Sequence, residues 1–181
     1  MPRNLLPVAG VLLAGGLARR IGGGDKALSM LAGETILARV IACARPQVRG
    51  LLLNANGDPE RFAAFGLPVM KAVKVAGPQD VIVAERYVGV ADWLLFDAKA
   101  PKSMRGALPG GNALIFDWEL LAGRTWPKPW MLSGGLTAGN VDEAVRISGT
   151  EAVDVSSGVE SRPGRKDPRL IAAFLEAVAG L

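Results

Sequence analysis

The chain contains no histidine. That one absence excludes a Ser-His-Asp triad, histidine metal ligands and a histidine base. Proton transfer must then run through carboxylates, lysine, tyrosine or cysteine. Tyrosine and cysteine occur once each. With Cys43 alone no internal disulfide can form, which fits a reducing cytoplasm. One thiol without imidazoles also speaks against a structural metal or a haem. No apolar run approaches the ~18 residues of a membrane span. Leu5–Ala18 after Arg3 is faintly like a secretory leader, but the Gly15-Gly16 break and the Arg19-Arg20 pair argue against one. A cytoplasmic protein without a membrane partner is expected. Dense basic runs with interleaved aromatics are missing too, so nucleic acid is not an expected partner. The net charge of +4 comes from scattered lysines and arginines and suits a phosphorylated small molecule.

What is present is a globular composition: 181 residues, half of them hydrophobic and about a fifth charged. Its organising stretch is WMLSGGLTAGNVDEAVRISGTEAVDVSSGVE, from Trp130 to Glu160. Two short apolar runs, Trp130–Leu132 and Ala152–Val155, each end in a small-residue loop, Ser133-Gly134-Gly135 and Ser156-Ser157-Gly158. A helical segment starting near Asn140 separates them. This is the pattern of two βα units with loops at the C-terminal ends of neighbouring strands. Backbone amides in such loops suit a phosphate, and glycine lets the backbone come close to it. Two equivalent loops favour that reading over a pair of ordinary turns.

The rest of the chain alternates in the same way. Val8–Leu13 reads as a buried strand, followed by the Gly- and cation-rich loop LARRIGGGDKAL. A helix is predicted over Thr35–Ala44, stopped by Pro46, then a strand at Leu51–Leu53 and a short helix over Pro59–Phe65 ended by Gly66. Val69–Val75 reads as a strand, Pro78–Tyr87 as a helix, and Trp93–Phe96 as a strand running into Asp97. A long loop, Ala98–Ala113, precedes a short helix starting at Phe116. The last helix, from Pro168 to Val178, has Asp167 as its cap and a predicted buried stripe of Leu170, Ile171, Phe174, Leu175 and Val178.

Two resemblances follow from longer strings. LLAGGLARRIGGGDKALSMLAGETIL with RPQVRGLLLNANGDPERFAAFGLPV, residues 1 to about 69, resembles the N-terminal part of molybdenum cofactor guanylyltransferase, a Rossmann-like α/β nucleotidyltransferase. The resemblance implies that Leu13, Ala14, Gly15 and Gly16 line a guanine nucleotide, that Lys26 contacts phosphate, and that Asn54 helps hold the nucleotide, with GTP and Mg as the cofactors. Lys71-Ala72 stand where that family carries an acidic residue, and its Mg-holding aspartate has no counterpart. Without that carboxylate, phosphoryl transfer lacks its main charge stabiliser.

From about residue 66 to the C-terminus, GLPVMKAVKV, LLFDAKAP, LPGGN before FDW, PWMLSGGLTAGNVDEAV and AVDVSSGVESRPGRKDPRLIAAF resemble phosphoribosylanthranilate isomerase of tryptophan biosynthesis. The family is a TIM barrel, and this segment looks like its strands five to eight. The resemblance implies an Amadori rearrangement without a cofactor, with Asp97 as general acid. It implies substrate and phosphate contacts at Gly110, Gly111 and Asn112 and at the Ser133-Gly134-Gly135 and Ser156-Ser157-Gly158 loops. Ala113 stands where the family usually has glycine. The family's cysteine base, in a Cys-Gly motif on the first barrel strand, is unmatched; Cys43 lies in the first predicted helix and reads as a small buried or half-buried thiol.

The chain therefore reads as a join at GLPV. A guanylyltransferase-like segment, residues 1–66, runs into an isomerase-like half barrel, residues 67–181, packed as one unit. The expected fold is α/β: alternating βα units on a mainly parallel sheet, a Rossmann-like βαβα front joined to a (βα)4 half TIM barrel. Six parallel strands are too few for a closed eight-stranded barrel, so an open sheet is expected, with an edge that invites a homo-oligomer. Three functions compete: an isomerase remnant with acid and phosphate site but no base, a guanine-nucleotide-binding module, and an inactive scaffold.

Overall fold

The computed structural model describes residues 8–15, 23, 25–55, 58–100 and 114–181. Five of the site residues expected above, or their neighbours, lie outside the described residues: Gly16, Gly110, Gly111, Asn112 and Ala113.

The described elements follow the alternation expected from the sequence. In order they are β1 (Ala9–Leu13), β2 (Met30–Leu31), β3 (Glu34–Thr35), α1 (Ile36–Ala44), β4 (Gly50–Ala55), β5 (Val69–Val75), α2 (Pro78–Ala84), β6 (Trp93–Ala98), β7 (Trp130–Leu132), α3 (Val141–Ser148), β8 (Glu160–Arg162), β9 (Arg165–Lys166) and α4 (Pro168–Ala179). Five strands form one sheet in the order β1-β4-β5-β6-β7. The pairings β1–β4, β4–β5 and β6–β7 are parallel. The order follows the chain without reversing, as in a βα barrel; a doubly wound sheet reverses at a switch point. The fold is thus α/β with parallel strands and alternating helices.

Contacts divide the chain into two compact units. The first comprises the residues up to Ala72 with Gly89–Trp93, and the second Val73–Val88 with Leu94–Leu181. In the first unit Leu37 and Ile41, one helical turn apart on α1, pack with Leu51, Leu53, Ala55, Phe62 and Val69. Thr35 caps α1: its hydroxyl oxygen accepts from the Ala38 amide at 3.1 Å. In the second unit Val73 and Val75, Leu94 and Phe96, and Leu132 bury one face of their strands against Val81 and Ala84 of α2 and Val141 and Ala144 of α3. Phe96 also packs on Trp126 and Trp130, with ring centroids 5.0 and 5.6 Å apart.

Several expectations need correction. Ala152–Val155 is no strand: a single parallel bridge joins Val153 to Leu132, closed by the Leu132 amide on the Ala152 carbonyl and the Asp154 amide on the Leu132 carbonyl. The Pro59–Phe65 segment is a 3-10 helix, ended by Gly66 at φ +62°. On α4 only Phe174 is fully buried, while Leu170, Ile171 and Leu175 stay exposed. Periodicity reports that a helix has an apolar side, not that anything covers it. Cys43 is exposed: it sits two positions beyond the buried Ile41, about 200° around the helix and on its opposite face.

Two hairpins went unforeseen. β2 and β3 are antiparallel and joined by Ala32-Gly33, both at positive φ, the backbone of a two-residue hairpin turn. β8 and β9 pair across Pro163-Gly164, with Gly164 at φ +79°.

Candidate functional site

Strand alternation places Asp97. On β6, Leu94, Phe96 and Ala98 enter the core against the helices, so Asp97 between them faces the other side of the sheet. On β5 the same rule puts Lys74, between the core residues Val73 and Val75, on that side as well. The Lys74 ammonium donates to Asp97 Oδ2 and forms an ion pair with it. The strand ends are braced just beyond. The Lys99 amide donates to the Val75 carbonyl at 2.9 Å, and the Lys99 ammonium donates to Asp80 Oδ1 at 2.7 Å. Asp80, in the first turn of α2, also accepts from the Ala76 amide at 2.9 Å. The Lys99 hydrogen bond holds the Asp80 carboxyl below its ordinary range, against the opposing effect of burial and with help from the Ala76 amide.

The first loop leaves β7. The Ser133 amide donates to the Phe96 carbonyl at 2.7 Å, and the buried Ser133 hydroxyl donates to Asp154 Oδ2 at 2.7 Å. Gly134 and Gly135 adopt φ +96° and +65°, which L side chains rarely adopt. Space is denied there too. A Cβ on Gly134 would lie 2.6 Å from the Ala98 nitrogen, and one on Gly135 2.7 Å from the Leu114 carbonyl oxygen. Asn140 then ties the loop to α3: its Oδ1 accepts from the Thr137 amide at 2.7 Å and its Nδ2 donates to the Gly135 carbonyl at 3.1 Å.

The second loop follows Val153. The Asp154 amide donates to the Leu132 carbonyl at 2.8 Å, and Ser157–Val159 turns as a 3-10 helix. Gly158 is pressed against the first loop so closely that a Cβ on it would overlap the Leu136 carbonyl oxygen.

The two loops and Asp97 meet in one narrow hollow. It is lined by Asp97, Ala98, Leu114, Ser133, Gly134, Gly135, Leu136, Asp154, Ser156, Ser157 and Gly158, and encloses about 20 Å³. That is room for one or two water-sized groups, so the terminal group of a ligand fits and the remainder does not. All seven described residues that the isomerase resemblance singles out line it. Asp154, a second carboxylate on the wall, escaped the sequence reading. A charged residue inside the apolar run Ala152–Val155 was the signal that could have found it. Lys74, which pairs with Asp97, and Asn140, which ties down the first loop, had no such signal.

The residues expected to hold a nucleotide are elsewhere. Leu13 and Asn54 are register partners on β1 and β4, Ala14 is buried, and Lys26 is exposed at the start of a 3-10 turn. They and Gly15 belong to the first unit and do not line the hollow. Among the described residues no group of three or more Asp, Glu or Cys is placed to hold a metal ion, and no helix is long and apolar enough to cross a membrane.

Residues 55–177 match the family profile of N-(5'-phosphoribosyl)anthranilate isomerase. The chain is 51% identical over 184 residues to the N-(5'-phosphoribosyl)anthranilate isomerase of Rhodospirillum centenum, an alignment covering 99% of this chain and 84% of that protein. The crystal structure of phosphoribosyl anthranilate isomerase from Thermotoga maritima aligns with a TM-score of 0.63 at 29% identity, over 96% of this chain and 73% of that one. A phosphoribosyl anthranilate isomerase in complex with reduced 1-(o-carboxyphenylamino)-1-deoxyribulose 5-phosphate aligns with a TM-score of 0.59 at 26% identity, over 96% and 71% of the two chains.

These findings correct the expectation of a join. The family match begins at residue 55, upstream of the supposed seam at GLPV. One isomerase aligned to nearly the whole chain leaves no separate front for a guanylyltransferase ancestor to explain, and the GTP and Mg that went with that ancestor lose their support. The chain belongs to the N-(5'-phosphoribosyl)anthranilate isomerase family.

Proposed function

We propose that this chain acts on N-(5'-phosphoribosyl)anthranilate, carrying out or retaining part of the aminoaldose-to-aminoketose rearrangement of tryptophan biosynthesis. The observation that carries the reading is the common hollow, which brings Asp97 together with two serine–glycine loops; its other carboxylate, Asp154, is engaged by the Ser133 hydroxyl. The loops bind the substrate phosphate, whose charge is taken up by backbone dipoles where side chains are too small to intrude. Asp97 is the general acid. Lys74 pairs with its ionised form, so the step runs from the protonated carboxyl: it gives its proton to the ribose ring oxygen, the ring C–O bond breaks, and an iminium forms at C1. Loss of the C2 proton to a base then yields the enolamine, which tautomerises to the ketose. Hydrogen moves within one molecule, so no cofactor is required.

The second half-reaction is where this sequence differs from the resemblance. Its only thiol, Cys43, is exposed on α1 within the first unit. The base role therefore has no cysteine to fill it, and turnover is expected to be weak. General acid–base groups each supply about 10²–10⁴-fold, so a chain with acid and no base falls short of the family by that order.

The test is a rate measurement on the purified chain with generated substrate. Slow turnover that Asp97→Asn reduces by a further factor of about 10² or more agrees with the proposal. Full growth of a tryptophan auxotroph on this chain would refute the missing base, and an Asp97→Asn variant as active as the parent would refute the acid.

A further inference from the structure

The second serine–glycine loop is gripped from outside the hollow by a group that no role has yet been given. Lys166, the last residue of β9, reaches back ten positions. Its ammonium donates to the Ser156 carbonyl at 2.7 Å, to Ser156 Oγ at 3.1 Å and to Glu160 Oε1 at 2.9 Å. An ammonium has three donors, and all three are used. Glu160 is held in turn: its Oε2 accepts from the Gly164 amide at 2.9 Å. The Lys166 bond and the Gly164 amide keep its carboxyl below the ordinary glutamate range. The hairpin is tied down at its far end, where the Asp167 amide donates to the Val159 carbonyl at 2.9 Å and Asp167 caps α4 through the Arg169 amide at 2.8 Å.

We propose that Lys166 is a positioning residue for anion binding: carried by the β8–β9 hairpin, it orients Ser156 so that the serine hydroxyl donates into the hollow. The inference rests on the reading of that hollow as a phosphate site. A hydroxyl that accepts from an ammonium through one lone pair turns its own proton away from the cation. Ser156 lines the hollow, so that proton is available to a phosphate oxygen. The ammonium behind it polarises the O–H bond, and a hydrogen bond chained to a charge is stronger than an isolated one. Glu160 fixes the lysine and tempers its charge. The probe this arrangement favours is a phosphate monoester or inorganic phosphate.

Two substitutions break the same ion pair and separate this role from simple support of the hairpin. Calorimetric titration of the full chain with inorganic phosphate, and with reduced 1-(o-carboxyphenylamino)-1-deoxyribulose 5-phosphate, is run on the parent, Lys166→Met, Lys166→Arg and Glu160→Gln. Lys166→Met is expected to bind both about tenfold more weakly, the low end for a hydrogen bond to a charged group at a half-exposed site. Lys166→Arg restores most of the affinity. Glu160→Gln binds at least as tightly as the parent, because the cation remains and its neutralising partner has gone. Parent-like affinity in Lys166→Met overturns the proposal. So does a tenfold loss in Glu160→Gln, which marks the pair as a brace for the fold; that outcome decides the matter even where Lys166→Met does not fold. A parent that binds neither probe refutes the phosphate reading itself, and the inference falls with it.

Discussion

Turn loops and the loops of the hollow use glycine for different purposes. In the first, Gly23, Gly33 and Gly66 all take positive φ, yet a Cβ built on any of them meets nothing within 4 Å. They serve the turn and nothing else. In the second, Gly134 and Gly135 combine positive φ with contacts to backbone atoms at 2.6 and 2.7 Å, and Gly158 has no room for a methyl at all. There the backbone of one loop is pressed on the next, and the acid sits on the same wall. A Gly-rich string identifies a site only when the missing side chains leave space that something else uses. Among the described residues it is the serine–glycine loops that line such a hollow.

The largest effect that can break this contrast comes from one methyl group. Gly158→Ala must push two backbone segments apart, which costs about 3 kcal/mol and should abolish phosphate binding. Gly33→Ala meets only the left-handed backbone penalty of about 1–2 kcal/mol and should leave binding untouched. Denaturant unfolding with phosphate titration compares them, and equal effects on binding would dissolve the distinction. Next in size is Ser133→Ala. It leaves Asp154 without its 2.7 Å donor, for an expected loss of about 1–2 kcal/mol, read as a lower denaturation midpoint.

The smallest effect depends on pH. The folded Asp80 carboxyl is held below its unfolded value, chiefly by Lys99. Its stabilisation is therefore present above the ordinary carboxylate pKa of about 3.9 and is lost as pH falls through the lowered folded value. Lys99 is half exposed, so screening keeps the pair to about 1 kcal/mol or less. Lys99→Met should be slightly less stable than the parent at pH 7 and equal to it at pH 2. A gap that persists at pH 2 would mean that packing, not charge, was lost.

Much of the fold was legible because its boundaries are chemical. Pro68 and the Gly77-Pro78 pair bracket β5, and its expected limits of Val69 and Val75 coincide with the observed ones. Asp97 could be placed by alternation alone, since a strand of known limits fixes which side each residue faces. The hairpins were not legible. Ala32 adopts φ +49°, a conformation that alanine does not advertise, and β8–β9 is tied by the Lys166–Glu160 ion pair, six residues apart, with no strand-like apolar run. The hollow was half legible: the small residues announce loops, while Asp154, Lys74 and Lys166 become neighbours of the site only through folding. The front of the chain misled because a Gly-rich string is a weak signal on its own, with no structural context to confirm it.

The central claim is that two serine–glycine loops hold one phosphate. Titrating the isotope-labelled chain with inorganic phosphate and following backbone amide resonances tests it directly. Gly134, Gly135, Ser157 and Gly158 are expected to shift together along one binding curve while Gly15 and Lys26 stay still. Shifts confined to one of the two loops, or centred on Gly15 and Lys26, would contradict it.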